Sequence, residues 1–153
     1  MEQKNKLFKV AEVQLTYKPT FKAVDRPKIT KAHDAYPILL DSWDSDQISL
    51  IEEFKILLLN RRNNVLGIAA ISKGGVSETV VDAKVIFSIA LKSCASGIIL
   101  CHNHPSGELF AGKEDVGITT KLKAAGKLLD IQVLDHLIIS ADGFYSFADA
   151  GMM

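Results

Sequence analysis

The stretch "ILCHNHPSGE" (residues 99–108) ends an apolar run with two histidines one residue apart, then turns through Pro105, Ser106 and Gly107. On a strand or its extended continuation, positions i and i+2 point to one face, so His102 and His104 share a side. Two neutral imidazoles on one face can bind a single divalent ion. A helix is expected to begin around Lys113, which puts Glu114 and Asp115 in its first turn, where the helix dipole favours a carboxylate. Either acid could add an oxygen ligand. Two histidines and one acid leave a fourth position for water, the arrangement of a catalytic rather than a structural site. The plain alternative is a loop whose histidines only hydrogen-bond locally. Cys101 should face away from both histidines and is rejected as a ligand.

Working outward, "EEFKILLLN" (52–60), the turn "RRNN" and "VLGIAAIS" (65–72) predict a hairpin of two buried strands. Gly74-Gly75 breaks the chain, and Asp82 is a fitting N-cap for "AKVIFSIALKSCA", with Val85, Ile86, Ile89, Ala90 and Ser93 on one helical face. "GIILC" predicts a central strand, and "KEDVGITTKLKAAGKLLD" a helix with Ile118, Leu122, Ala125 and Leu129 on one stripe. "IQVLDHLIIS" (131–140) predicts another strand, "ADG" a turn and "FYSF" a last short strand. The order ββαβαββ implies an α/β fold, a mixed sheet with flanking helices. Residues 1–45 read as an N-terminal extension: a strand over 10–17, a connector with Pro19 and Pro27, and a helix capped by Thr30 and running to about Trp43, which Pro37 starts or bends. Residues 46–153 then form the main domain.

Bulk properties narrow the classes. With 153 residues, 48% apolar and 24% charged, the chain suits one globular domain, and its apolar runs are too short to span a bilayer. The N-terminus shows no secretory h-region, and two cysteines fit reduced thiols in a cytoplasm. Net charge is zero, but residues 1–31 carry eight Lys/Arg against three acids, while 32–60 carry six acids against Lys55 alone. Such a basic arm could touch a phosphate backbone; its plain reading is a solvated edge against the acidic segment.

"HNHPSG", followed by "KEDVGITTKLKAAGKLLDIQVLDHLIIS" and preceded by "VLGIAAISKGGVSETVVDAKVIFSIAL", resembles the RadC-like branch of the JAB/MPN (JAMM motif) metalloproteins over roughly residues 50–148. The resemblance implies an α/β sandwich similar to the cytidine-deaminase fold. It also implies one Zn2+ per chain, held by His102, His104 and Asp115, and a hydrolase cleaving isopeptide bonds of a peptide or protein substrate with a glutamate as general base.

The chain departs from that pattern. Many members carry a serine three residues before the aspartate; here Gly112 stands. The glutamate is expected on the second hairpin strand, near Ala70, where "GIAAIS" has no acid. Glu78 is the nearest upstream acid and could reach the site from another loop, or be a solvated loop residue. Ser106 could act as an oxyanion donor or simply cap its turn. Asp135 could orient a metal histidine, and His136 could act as a fourth ligand or general acid; the plain reading is a satisfied polar insertion at a strand edge. Two functions follow: a JAMM-type metallopeptidase with a degenerate site, or an inactive binding module associated with DNA repair or a mobile element. A deaminase is disfavoured, because His-x-Glu and Pro-Cys-x-x-Cys are both missing. The letters "HNH" are contiguous here, unlike the dispersed residues of HNH nucleases.

Overall fold

The structure, a computed structural model, describes residues 9–14, 16–75 and 80–153. Among these, eight elements follow a short 3-10 turn: α1 (Ala32–Asp41), β1 (Glu53–Leu59), β2 (Val65–Lys73), α2 (Ala83–Lys92), β3 (Gly97–Asn103), α3 (Lys113–Leu128), β4 (Gln132–Ser140) and β5 (Gly143–Ser146). They build one mixed sheet in the order β2-β1-β3-β4-β5, with β3 and β4 parallel and every other pair antiparallel. This is the α/β architecture expected from the element order.

The hairpin closes as its sequence predicts. Asn60 Oδ1 accepts the backbone N–H groups of Arg62 and Asn64, and Asn63 takes a left-handed φ of 62° that asparagine tolerates. β1 and β3 are interior strands and bury nearly every residue, whereas the edge strand β2 alternates. α2 starts where Asp82 accepts the Lys84 N–H, as its N-cap role requires. At the end of α3, Gly126 lies so close to the Ile131 carbonyl that an added Cβ would sit 2.3 Å from its oxygen. A side chain there would force helix and sheet apart.

The sheet divides the core in two. On one face Leu57, Leu59, Ile99, Cys101, Leu137 and Ile139 pack under Leu39 and Trp43. On the other, Phe54, Ile56, Ile98, Leu100 and Val133 pack under Ile86, Phe87 and Leu122 of α2 and α3. α1, read from sequence as part of an extension, therefore supplies a core layer. Its N-terminus is tied by Asp34, whose carboxylate accepts the Thr30 and Lys31 N–H groups and the Thr30 hydroxyl. Thr30 donates to Asp34 instead of capping the helix, which ends at Asp41.

Of the span 10–17, where a strand is expected, residue 15 lies outside the described residues, and among the described residues no strand precedes β1. Alternation alone needs a sheet edge to pair with, and Val10 and Val13 stay 62% and 87% exposed. The predicted helical stripes hold where Ile86, Ala90, Ser93 and Leu122 are buried, but not at one end of each helix. Val85 and Leu129 are exposed, while Phe87, Thr119 and Gly126 turn inward. Among the described residues no helix is long and apolar enough to cross a membrane.

Candidate metal centre

β3 delivers His102 inside the strand and His104 one step past its end, where the His104 N–H still donates to the Ile139 carbonyl of β4. Both rings lie on the α3 side, opposite Cys101 in the α1-side core. Gly107, at φ 81°, closes the following turn by donating its N–H to the His104 carbonyl. The chain then enters α3, with Asp115 in the first turn. The His102 and His104 Nε2 atoms are 3.0 Å apart. Asp115 Oδ1 lies 3.1 Å from His102 Nε2, and Oδ2 lies 3.5 Å from His104 Nε2. The same Oδ2 accepts the Gly112 N–H at 2.8 Å, so one carboxylate caps its helix and faces both imidazoles.

A second carboxylate reaches this point. Glu52, directly before β1, brings its oxygen within 4.8 Å of the His102 and His104 ring nitrogens, and these three residues could hold a metal ion. The β1–β3 register sets Phe54 opposite His102, which places the mouth of β1 at the histidine end of β3. Glu52, Phe54, Val81, Lys113, Glu114 and Ile118 line the cleft together with the histidines, Gly112 and Asp115; its volume is about 540 Å3.

The electrostatics fit a cation site. Burial raises the Asp115 carboxyl, but the His102 and His104 rings beside it and the Gly112 N–H outweigh that and hold the group well below the usual carboxylate range. Asp115 in turn raises the proton affinity of His104 against the opposing effect of burial. His104 Nδ1 donates to the Glu108 carbonyl at 2.8 Å, so a neutral His104 presents a bare Nε2. Were both rings neutral and protonated at Nδ1, their Nε2 lone pairs would face each other at 3.0 Å, beside a carboxylate. A metal ion could join such a donor set, and nitrogen with carboxylate oxygen is a set that zinc accepts.

The remaining candidates divide. His136, at 0% exposure, touches the site through His102: its Nε2 lies 2.8 Å from His102 Nδ1, and its Nδ1 lies 2.6 Å from Thr119 Oγ1. Burial lowers its proton affinity well below the ordinary histidine value. Its contacts are with His102 Nδ1 and Thr119, which sets it behind His102 and apart from the group of Glu52, His102 and His104 that could hold a metal ion.

Asp135 does not orient a metal histidine. Its oxygens accept Ser146 Oγ, the Ala148 N–H and the His136 N–H, so it anchors the C-terminal turn; burial raises its carboxyl despite these bonds. Ser106 is exposed and caps its own turn by accepting the Glu108 N–H, away from the cleft lining, so it is no oxyanion donor there. Glu78 lies outside the described residues. Ala70 pairs with Lys55, whose side chain meets Ser42 and Trp43 on the α1 side, so an acid at 70 would face away from the cleft.

Two participants escaped the sequence reading. Glu52 is the last acid before the first hairpin strand, and only the β1–β3 register shows its reach. Thr119 stands one helical turn after Asp115, a spacing that does signal a shared face.

Fold and site together define an α/β domain whose strand-end cleft could hold a metal ion through Glu52, His102 and His104. The chain belongs to the RadC-like JAB domain family, whose model matches residues 29–152. It is 46% identical over 125 residues to a UPF0758 protein of Flavobacterium johnsoniae, covering 82% of this chain and 53% of the relative. It is 36% identical over 148 residues to a UPF0758 protein of Clostridium kluyveri, covering 97% and 63%. The chain thus spans between half and two thirds of the length of these relatives.

Proposed function

We propose that this domain is a zinc-dependent hydrolase of the JAMM type, acting on an amide or isopeptide bond of a peptide or protein. The observation that carries the reading is the meeting of His102, His104 and Asp115 with a further carboxylate, Glu52, in one cleft. In this reading the two histidines and Asp115 hold the ion and Glu52 is the general base. The base expected near Ala70 is thereby supplied from the residue just before the neighbouring strand, and the site is less degenerate than its sequence implies. When bound, the ion supplies Lewis acidity that polarises a carbonyl oxygen and lowers the pKa of water toward neutrality. Glu52 takes a proton from the attacking water as the new C–O bond forms. It returns that proton to the amine as the C–N bond breaks. Gly112 offers no hydroxyl to the developing oxyanion, which favours a slow enzyme, or the alternative of a binding module on the same scaffold. Free Cys94 and Cys101 support a reducing, cytoplasmic setting.

The test has two readouts. Protein purified without chelator should hold close to one zinc per chain by elemental analysis. Glu52→Gln should keep that zinc and lose about 10²–10⁴-fold of the hydrolysis of fluorogenic peptide amides. A chain that stays metal-free in added zinc overturns the metal assignment. A zinc-loaded wild type no faster than Glu52→Gln overturns the base and leaves the binding module.

A further inference from the structure

The hydrogen bonds behind His102 have a direction that donor chemistry fixes. Thr119 Oγ1 lies 2.6 Å from the Asp115 carbonyl oxygen, which can only accept, so the single hydroxyl proton goes there. Toward His136 Nδ1, also at 2.6 Å, that hydroxyl must therefore accept, and the Nδ1 atom carries the ring proton. His136 is fully buried, and Phe54 and Phe147 pack against its ring, so it is held as the neutral imidazole with a bare Nε2. That lone pair accepts from His102 Nδ1 at 2.8 Å, which assigns the His102 proton to Nδ1. What remains on a neutral His102 is a lone pair at Nε2, beside His104 Nε2 and Asp115 Oδ1.

We infer that Thr119 and His136 are positioning residues that set the tautomer of His102, so that its Nε2 is delivered unprotonated to the metal. The inference deepens the metal-centre reading and rests on it. Reversing the chain would require the Thr119 hydroxyl to leave the Asp115 carbonyl and donate to His136. His102 would then carry its proton at Nε2, the atom needed for the ion. Asp115 thus acts at both ends: its carbonyl sets the polarity of the chain and its carboxylate faces the site. The fold makes a special provision for this. β4 carries one extra residue against β3, the pairing passing from Ile98–Val133 to Ile99–Asp135, and this shift sets Val133 and His136 on the same face. Strict alternation from Val133 would have turned His136 toward α1.

The test uses the metal-free protein and its zinc complex. Long-range 1H–15N spectra of the wild type should show His102 and His136 protonated at Nδ1. Thr119→Val removes the hydroxyl at similar volume; it should mix the His102 tautomers and weaken zinc about 10–100-fold in a chelator competition, the loss typical of an outer partner of a metal histidine. Thr119→Ser should restore both readouts. His136→Gln, which can still accept from His102 and donate to Thr119, should retain Nδ1 protonation of His102. A wild-type His102 protonated at Nε2 overturns the inference. So does Thr119→Val with wild-type tautomers and wild-type zinc affinity. If the wild type takes up no zinc, the metal reading fails, and the spectra still decide the hydrogen-bond chain.

Discussion

The two faces of β3 settle their polar side chains in opposite ways at the same end of the strand. On the α1 side, Asn103 is fully buried and its side-chain amide is committed: Nδ2 donates to the Ile48 and Ile51 carbonyls, and Oδ1 accepts the Glu53 N–H. On the α3 side, His102 and His104 turn their Nε2 atoms toward each other and toward Asp115. One face is closed within the protein, and the other presents side chains that could hold a metal ion. The asparagine between the histidines is therefore structural, yet its partners bracket Glu52, the residue between Ile51 and Glu53. In the proposed reading, the saturated face holds the carboxylate that serves the open one.

Removing the asparagine is the strongest way to break that contrast. Asn103→Ala leaves one N–H and two carbonyls without their partner in a buried place, and should cost about 3 kcal/mol in urea unfolding. With His102, His104 and Asp115 holding the ion as proposed, zinc stoichiometry should survive, while hydrolysis should fall with the displacement of Glu52. Loss of zinc uptake in a folded Asn103→Ala protein would mean that the two faces are not separable in this way.

How much of this was legible in the residues follows from how local each feature is. The β1–β2 hairpin and the Asp82 cap rest on periodicity and turn chemistry that a short window contains. The convergence of His102 and His104 rests on i,i+2 spacing within one strand. Glu52 was not legible as a site residue, because its placement depends on pairing across some 50 residues, between Phe54 and His102. Thr119 acquires its role only through the extra residue in β4, which no alternation pattern declares. The N-terminal alternation misled for the opposite reason: the pattern was present and its pairing partner was not.

Acid should sharpen the contrast by a smaller amount. The proton affinity of His136 is lowered by burial, so the unfolded chain takes up a proton as pH falls through about 6.5 while the folded chain does not. The stability this neutral ring contributes is thus present above that pH and lost below it. His104 acts oppositely: Asp115 raises its value, so it contributes below pH 6.5 and loses that contribution as pH rises through the raised value. Both effects operate in the wild type, but His136→Gln removes only the first. Between pH 7.5 and 5.5, the metal-free wild type should lose about 1.4 kcal/mol relative to His136→Gln, by urea unfolding at the two pH values. An unchanged difference would show that the ring is protonated in the folded state and that the α3 face is not built around a neutral imidazole.

The smallest expected effect tests how much room the open face has. Gly112 is the N-cap of α3 in ordinary extended backbone, φ −72° and ψ 163°, so a serine meets no backbone strain there. As a cap, serine improves on glycine by only a few tenths of a kcal/mol. Its Cβ would stand 3.2 Å from Asp115 Oδ2, close enough that the carboxylate must shift by a few tenths of an ångström. That carboxylate is anchored by the Gly112 N–H at 2.8 Å, which the substitution keeps, and its other oxygen stays beside His102. Gly112→Ser should therefore change unfolding stability by less than about 0.5 kcal/mol and zinc affinity by less than about threefold, since 1.4 kcal/mol corresponds to a factor of ten. A loss of tenfold or more in chelator competition would mean that Asp115 is held too tightly to adjust, and that the missing side chain at 112 is a condition of the metal geometry.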